Sequence, residues 1–299
     1  MEDIYSSCTL CPRRCRADRY SGTGFCGTGA AVIAAKAYLH QWEEPCISYR
    51  NGAGTVFFSG CSLHCCYCQN NEISNLLKGK MLTPRQLADV FLSLRDKGAD
   101  NIELVTPTHF VPDIIKALDM VKHKLGIPVI YNTGGYELTE TIDMLKGYID
   151  IYMPDIKYFS PEVSARYSYA ADYFEYASQA VKAMTEQAGE LEYNSEGGLI
   201  SGTVIRHLVL PGQRHDSMKI IGWIAENIPR EKALVSIMGQ YTPFEFVREK
   251  YPELSRRITK MEYNSVLRRA EELGIEGFSQ ERRSASEEYV PDFDMAGLF

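Results

Sequence analysis

The segment FFSGCSLHCCYCQN, residues 57–70, contains three cysteines in a C-x3-C-x2-C spacing: Cys61, Cys65 and Cys68. Three thiolates can bind three irons of a [4Fe–4S] cube, which normally takes four protein ligands. The fourth iron then stays open to an outside molecule, as the open position of a catalytic metal site does. The spacing therefore predicts a cluster with one open iron.

A zinc knot is the alternative interpretation of this segment. It would combine His64 with cysteines between residues 61 and 68. Adjacent residues such as Cys65 and Cys66 are hard to place on one tetrahedral ion, which disfavours zinc.

Strand and helix patterns alternate along the chain on the C-terminal side of this segment. Six apolar, β-branched runs predict strands. They are Thr55–Ser59, Ile102–Val105, Pro128–Tyr131, Asp150–Met153, Thr203–Val209 and Ala233–Met238. A helix is expected between the capping box TPRQ of residues 83–86 and Gly98. Further helices are predicted at Pro112–Lys122, Thr139–Lys146 and Ser217–Asn227.

Alternating strands and helices form parallel sheets through right-handed crossovers. We therefore expect an α/β fold, a partial (β/α)6 barrel of parallel strands that is open on one side. A doubly wound sheet is the alternative. Either fold places the chemistry at the carboxyl ends of the strands.

Composition divides the chain into three segments. Residues 1–50 are rich in cysteine and predict a metal- or cluster-binding segment, and residues 51–243 predict the partial barrel. Residues 244–299 predict a helical C-terminal extension whose tail, from residue 282, packs as an irregular strap.

The charge balance limits the partners and the compartment. The chain has 299 residues and a net charge of −7, which argues against binding to nucleic acid or to an anionic membrane. No apolar run approaches the about 18–20 residues of a membrane span. The start MEDIY, residues 1–5, is acidic where a signal peptide is basic. We therefore expect a cytoplasmic protein whose nine cysteines stay reduced, and their concentration between residues 8 and 68 indicates metal binding at that end of the chain.

The segment of residues 58–70 resembles the radical S-adenosylmethionine (SAM) superfamily, in which an aromatic residue, here Tyr67, precedes the last cysteine of the triad. It is most similar to the pyruvate formate-lyase activating enzymes and to an orphan iron–sulfur branch homologous to those activases. The resemblance implies an oxidoreductase with two cofactors, a [4Fe–4S] cluster and SAM. In that superfamily the open iron binds SAM, and an electron from the reduced cluster cleaves its sulfonium bond. The 5′-deoxyadenosyl radical then abstracts hydrogen from a substrate.

The resemblance also implies partners and cofactor contacts. The partners are a reductant such as flavodoxin or ferredoxin and, for an activase, a glycyl radical enzyme; a small molecule or a peptide is the alternative substrate. The contacts of SAM are expected among polar residues that follow the strands. They are Tyr67, Asn132, Thr133, Gly134, Asp155, Lys157, Arg206 and Gln240.

Several of these side chains could instead have a purely structural role. Asp155 and Lys157 share a face of extended chain, so they could also form only a surface ion pair. Arg206 could be an inward-facing structural arginine. Gln240 and its neighbour Tyr241 could belong to a polar barrel rim.

Two positions depart from the family pattern. Most members carry Gly-Gly-Glu after the second strand to bind the amino group of SAM, but the VTPTH of residues 105–109 has no acid. We expect Thr106 or Thr108 to substitute through hydroxyl or backbone oxygens. Asn132 stands where activases carry an aspartate that helps to bind a monovalent cation.

Two histidines lie near these segments. For His109 the simpler expectation is a solvated loop side chain, and the alternative is a group on the substrate side. His64 could tune the cluster through a hydrogen bond or could simply be exposed to solvent.

A second set of four cysteines has the spacing C-x2-C-x3-C-x10-C. They are Cys8, Cys11, Cys15 and Cys26. Four thiolates make a closed site, which is structural or electron-transferring and holds either zinc or an auxiliary iron–sulfur cluster. The surrounding glycine-rich chain has too little core to fold without metal.

An electron carrier and a nucleic-acid-binding module are the alternatives from other classes of function. A non-catalytic electron carrier with two iron–sulfur clusters would need four protein ligands for each cluster and no SAM pocket. A zinc-ribbon module for nucleic acid is opposed by the acidic charge and by the absence of a basic stripe.

Overall fold

The computed structural model describes residues 3–280 and 291–298. This part of the chain contains ten strands. They are β1 (Val32–His40), β2 (Ala53–Phe58), β3 (Lys80–Leu82), β4 (Ile102–Val105), β5 (Val129–Thr133), β6 (Ile151–Pro154), β7 (Glu192–Tyr193), β8 (Leu199–Leu208), β9 (Ala233–Met238) and β10 (Gly277–Gln280).

The same residues contain nine α-helices. They are α1 (Asn71–Ser74), α2 (Pro84–Asp96), α3 (Val111–Leu125), α4 (Thr139–Met144), α5 (Pro161–Ser168), α6 (Tyr173–Ala188), α7 (Arg214–Asn227), α8 (Glu245–Arg248) and α9 (Lys260–Glu272). Two short 3₁₀ turns lie at Thr108–Phe110 and Pro252–Leu254.

One open sheet organises these elements, with the strand order β10-β9-β8-β6-β5-β4-β2-β1-β3. The neighbours β2, β4, β5, β6, β8 and β9 are parallel and follow one another in chain order. All six predicted strands are present, although β8 begins four residues earlier than expected, at Leu199. The predicted partial barrel of parallel strands, open on one side, is confirmed.

The sheet continues beyond the predicted strands at both edges. At one edge β1 pairs antiparallel with β2 and β3, and at the other β10 pairs parallel with β9. We did not predict β1 because its VIAAKAYLH sequence is rich in alanine and lies in the cysteine-rich segment. The division into three segments stays a prediction, and both edge strands connect its outer segments to the barrel sheet.

Part of the C-terminal tail lies along β1. The Met295 N–H donates to the Ala35 carbonyl at 3.0 Å, and the Ala37 N–H donates to the Ala296 carbonyl at 2.9 Å. Phe293 is buried against Phe57, with 5.6 Å between the ring centroids. Residues 291–298 are irregular, as the strap prediction expected, whereas residues 282–290 and 299 of the predicted strap lie outside the described residues.

The predicted capping box begins α2. The Thr83 hydroxyl accepts a hydrogen bond from the Gln86 N–H, and the Gln86 side chain accepts one from the Thr83 N–H. Gly98 follows the helix in a left-handed conformation with φ of +86°. The helix buries one apolar face against the sheet, formed by Leu87, Val90, Phe91 and Leu94.

A small apolar cluster fills the amino end of the barrel interior. The connection from β1 to β2 contributes Cys46 and Ile47, which pack on Ile130, Ile151 and Val204. The Leu199 N–H donates to the Cys46 carbonyl at 2.8 Å and fastens this connection to β8. The amino end is therefore filled with packed side chains, and the functional groups lie at the carboxyl end. No helix in the described residues is long and apolar enough to cross a membrane.

Candidate functional site

The three predicted cluster cysteines lie in the loop that follows β2, at the carboxyl edge of the sheet. This loop begins at Gly60, which has φ of +90°. A Cβ atom at Gly60 would lie 2.5 Å from Thr28 Cγ2 and 2.7 Å from the Cys26 carbonyl oxygen. Only glycine fits there, because both the backbone conformation and the close approach exclude a side chain.

Each of the three sulfur atoms accepts a hydrogen bond. The Leu63 N–H donates to Cys61 Sγ at 3.4 Å. The Ser168 hydroxyl donates to Cys65 Sγ at 3.0 Å, and the Ser74 hydroxyl donates to Cys68 Sγ at 3.4 Å. Hydrogen bonds to sulfur are a means by which proteins orient and tune cluster ligands.

The thiols are close enough to affect one another's charge. The pKa of Cys61 is raised to about 12. Burial is the main cause, and the neighbouring Cys65 and Cys68 sulfurs contribute to the shift. Bound iron would supply positive charge that favours the thiolate form of these cysteines. The residues present fit three ligands of a [4Fe–4S] cluster.

A buried line of hydroxyl groups connects Cys65 with Tyr67. The Tyr158 hydroxyl lies 2.6 Å from the Ser168 hydroxyl and 2.7 Å from the Tyr67 hydroxyl. The Tyr67 ring also makes edge-to-face contacts with the rings of Tyr158, Tyr167 and Tyr241. Aromatic side chains thus cover one side of the cysteine loop and exclude water from it.

Three predicted segments converge beside the cysteines. A Cβ atom at Gly134, after β5, would lie 2.9 Å from Leu63 Cδ1 and 3.4 Å from Lys157 Cε. Lys157 forms a short ion pair with Asp155, after β6. Burial opposes the charge of Lys157, but the Asp155 carboxylate and the Cys65 sulfur outweigh burial and raise the pKa of Lys157 well above its usual value.

Tyr173, on α6, holds two of these segments together. Its hydroxyl lies 2.8 Å from the Gly134 carbonyl and 3.0 Å from the Asp155 carbonyl, and it accepts a hydrogen bond from the Lys157 N–H at 2.9 Å. Sequence reasoning missed this residue because nothing in a helix pattern distinguishes a tyrosine that bonds to a loop backbone from one in the core.

Arg206 is engaged with acids from the β1–β2 connection. Its Nη1 lies 2.8 Å from Glu43 Oε2, and its Nε lies 3.7 Å from Glu44 Oε1 and 3.9 Å from Asp155 Oδ1. Burial raises the pKa of Glu43 well above its usual value, and the nearby Glu103 carboxylate adds to the shift. Arg206 faces inward, as the alternative expected, and its contact with Asp155 also brings it to the predicted site.

Asn132 points to the same interior. Its Nδ2 donates to Glu103 Oε1 at 2.6 Å, and the Thr55 hydroxyl donates to Glu103 Oε2 at 2.6 Å. Burial raises the pKa of Glu103. Buried polar atoms without a hydrogen-bond partner among the described residues also lie here. They are both carboxylate oxygens of Glu44, Arg206 Nε, Ser236 Oγ and Gln240 Oε1.

Thr133 and Thr108 face away from this interior. Both hydroxyls donate to Glu137 Oε1, Thr108 at 2.6 Å and Thr133 through a shorter contact. Burial raises the pKa of Glu137 to about 7. Glu137, from the loop after β5, is thus an acid that contacts the loop after β4. Thr106 has an unusual φ of +58°.

The two histidines near these segments lie in different surroundings. The solvated interpretation of His109 is wrong, because the side chain is buried and its Nε2 lies 2.8 Å from the Ser59 carbonyl. Burial lowers the pKa of His109 to about 3, so the ring is neutral. The ring of His64 bonds to other groups, with its Nε2 2.8 Å from the Phe25 carbonyl and its Nδ1 2.5 Å from Asn75 Oδ1, whereas the backbone of His64 forms a hydrogen bond with the Cys61 thiol.

The N-terminal cysteines also come together. A Cβ atom at Gly24 would lie 3.4 Å from both Cys15 Sγ and Cys26 Sγ. Burial raises the pKa of Cys11 to about 12, and Cys26 and Cys8 add to this shift. Within residues 3–280 and 291–298, no three His, Cys, Asp or Glu side chains are arranged as a site for one metal ion.

Comparison with known sequences places most of the barrel in one family. The sequence model of the radical SAM superfamily matches residues 55–224. An uncharacterized protein of Methanocaldococcus jannaschii is 28% identical over 285 residues, which cover 92% of this chain and 77% of that protein. The pyruvate formate-lyase-activating enzyme of Clostridium pasteurianum is 32% identical over 111 residues, which cover 34% of this chain and 44% of that enzyme.

A solved structure shows the same fold at low identity. Streptococcus suis SuiB, in a crystal structure bound to S-adenosylmethionine, matches 74% of this chain with a TM-score of 0.52 and 13% identity. The chain spans about half of SuiB, 48% of its length.

The buried Glu137 predicts a specific dependence of stability on pH. Because its pKa is raised from 4.5 to about 7, the unfolded chain releases this proton at lower pH than the folded protein does. The free energy of unfolding should therefore fall as pH rises from about 4.5 to about 7, by up to about 3 kcal/mol from this group. Glu137→Gln should remove that loss, measured by urea unfolding between pH 5 and 8. The control is Glu175→Gln on the exposed face of α6; equal pH profiles for Glu137→Gln and the wild type would contradict the assignment.

Proposed function

The chain belongs to the radical SAM superfamily, whose cofactors are a [4Fe–4S] cluster and SAM, and we propose that Cys61, Cys65 and Cys68 hold that cluster with one iron left to SAM. The observation that carries this proposal is the arrangement of three sulfur atoms, each with its own hydrogen-bond donor, in one loop at the carboxyl edge of the sheet. When reduced, the cluster supplies the electron that cleaves SAM, and the resulting 5′-deoxyadenosyl radical takes a hydrogen atom from the substrate.

The residues beside the cysteines would bind and orient SAM. The Asp155–Lys157 pair presents an acid and a base within reach of the cysteine loop, which suits a cofactor with both an ammonium and a carboxylate group. Gly134 offers backbone at a place where a side chain would have to displace the ends of Leu63 and Lys157. Tyr67 supplies an aromatic ring and, with its neighbours, keeps water out.

The barrel interior would complete the pocket. Arg206 and Asn132 are held by acids, so they define the shape and charge of the interior rather than standing free. Gln240 retains an unpartnered oxygen that a bound molecule could satisfy. Thr133 would contribute through its backbone only, because its hydroxyl is committed to Glu137.

For the substrate, we favour a glycine residue of a partner protein, as in an activase. The support is the 32% identity to the Clostridium pasteurianum activating enzyme, which covers about a third of this chain. Flavodoxin or ferredoxin would supply the electrons. An oxygen-sensitive glycyl radical signal in the EPR spectrum of a partner protein, dependent on this enzyme and SAM, tests this assignment. A deuterium label that passes instead from a small molecule or a peptide into 5′-deoxyadenosine would establish the alternative substrate.

Cleavage of SAM is the first test. Anaerobically reconstituted protein with dithionite should convert SAM to 5′-deoxyadenosine and methionine, quantified by liquid chromatography, and Cys61→Ala should reduce the product to background because the cluster loses a ligand. Cys46→Ala is the matched control, since Cys46 is a buried thiol at the amino end of the barrel. Product formation by Cys61→Ala at the wild-type rate would exclude the triad as the cluster site.

The hydroxyl that donates to Cys65 should tune the reduction potential. Ser168→Ala removes this hydrogen bond, so we expect the potential of the cluster to fall on the order of tens of millivolts, because hydrogen bonds to sulfur stabilise the reduced, more negative form. Ser164→Ala is the control, as it removes a buried hydroxyl from the same helix that bonds to the Pro161 carbonyl and not to a cysteine. An EPR-monitored redox titration measures both variants, and equal potentials would refute this role.

A further inference from the structure

The triad and the N-terminal set of cysteines lie next to each other and are in direct backbone contact. The Cys61 N–H donates to the Cys26 carbonyl at 3.2 Å. Gly60 is packed against the same carbonyl and against Thr28, at distances that leave no space for a Cβ atom. One ligand of the triad and one of the N-terminal set are thus joined by a single backbone hydrogen bond.

Arg13 adds a second connection between the two sites. Its guanidinium donates to the carbonyls of Ser62 and Ser168, at 2.8 and 2.9 Å. Arg13 lies between two N-terminal cysteines in sequence, Ser62 follows Cys61, and Ser168 is the donor to Cys65. The N-terminal loop is therefore fixed to the cluster loop at several points.

These contacts bound the distance between the sites. The path from Cys26 Sγ to Cys61 Sγ crosses one side chain and one carbonyl, the 3.2 Å hydrogen bond, and a second side chain. With standard bond lengths, the two sulfur atoms can be at most about 13 Å apart. Metal centres bound to these sulfurs would be near enough for direct electron transfer.

A buried arginine indicates that the N-terminal site carries negative charge. Arg19 is 2% exposed, and its Nη1 lies 3.8 Å from Cys8 Sγ. Its other partners carry no net charge: they are the carbonyls of His109 and Gly29, the Thr28 hydroxyl and the rings of Tyr5 and Phe110. Among the described residues no carboxylate forms an ion pair with Arg19. A buried cation without a counter-ion is costly, and a metal centre with four thiolates supplies that counter-ion.

The N-terminal set has one outward side. Cys8 and Cys26 are buried, whereas Cys15 is exposed between the exposed Arg16 and Arg14, of which Arg14 pairs with Glu140 at 3.3 Å. We call Arg14, Cys15 and Arg16 the rim of this site. The rim is basic, whereas the whole chain has a net charge of −7. A protein with an acidic surface would be attracted to this rim and would meet the N-terminal site first.

We propose that Cys8, Cys11, Cys15 and Cys26 hold a second iron–sulfur cluster that receives electrons from an acidic carrier protein at the rim and passes them to the cluster at the triad. The inference rests on the proposed function of the triad. Each transfer moves one electron: the carrier is oxidised, the second cluster is reduced and then reoxidised, and the triad cluster is reduced, with no bond made or broken. Zinc would also balance Arg19 but has no redox chemistry, so the metal content decides.

Metal content is the first experiment. Anoxically reconstituted wild type should contain about eight irons and eight acid-labile sulfides, and the double variant Cys11→Ala/Cys15→Ala about four of each. Cys46→Ala should match the wild type. About four irons together with one zinc in the wild type would overturn the inference.

Electron delivery is the second experiment. Reduced flavodoxin is the acidic carrier, and the EPR signal of the triad cluster in the presence of SAM reports its reduction. We expect the double variant to be reduced at least about tenfold more slowly than wild type by flavodoxin, while dithionite, which reaches each cluster by itself, reduces both within about twofold. A double variant that contains four irons and takes electrons from flavodoxin at the wild-type rate would overturn the relay.

Because the double variant could fail to fold, a third experiment uses a variant that keeps all nine cysteines. Arg16→Glu should raise the KM for flavodoxin about fivefold at low ionic strength, and this difference should vanish at high salt. Arg85→Glu on α2 makes the same charge change elsewhere and should behave as the wild type. Equal KM values for the two variants would show that the rim does not receive the carrier.

The relay and the proposed function fail in different ways. If the wild type with eight irons produced no 5′-deoxyadenosine with either reductant, the function of the triad would be wrong. If product formed with dithionite and the double variant were as competent with flavodoxin as wild type, only the relay would be wrong.

Discussion

The hydrogen bond from the Cys61 N–H to the Cys26 carbonyl, with Gly60 closed against that carbonyl, holds the functional edge of the molecule together. It fixes where the cysteine loop leaves β2. It also makes residues 3–30, which have little apolar core of their own, one side of the site. Buried Arg19 strengthens the same contact because it bonds at once to Thr28, Gly29 and His109. Geometry at the cysteines therefore depends on a segment far from them in sequence.

The carboxyl end of the barrel interior contains buried charged groups that lower the stability of the fold. Glu43, Glu44 and Glu103 surround one arginine, and the oxygens of Glu44 have no hydrogen-bond partner among the described residues. Burying such groups costs more than an apolar filling would, and apolar residues do fill the amino end of the same barrel. Polar residues kept at this cost at the carboxyl end of a sheet are typical of binding sites.

Local patterns predicted the parallel strands and the capping box of α2, because each depends on residues close in sequence. The placement of the triad in one loop and the pairing of Asp155 with Lys157 could also be predicted, since their spacing is short and strand ends meet at one edge, whereas their roles toward a cluster and SAM stay proposals. Contacts across the chain were not predictable. Glu137 with Thr108, Ser168 with Cys65 and Glu43 with Arg206 join positions whose pairing only the folded backbone defines. Strand β1 was missed because alanine gives a weak strand signal.

The tail that lies along β1 has a consequence for handling the protein. Residues 35–37 of this strand direct backbone groups to the edge of the sheet, where Met295 and Ala296 bond to them. Without residues 291–298 that stretch would be an unpaired edge, with the Phe57 ring losing its cover by Phe293. Bare edges invite strand addition by a neighbouring molecule and then aggregation. A C-terminal truncation or a bulky affinity tag placed there would therefore threaten solubility before it touched the chemistry.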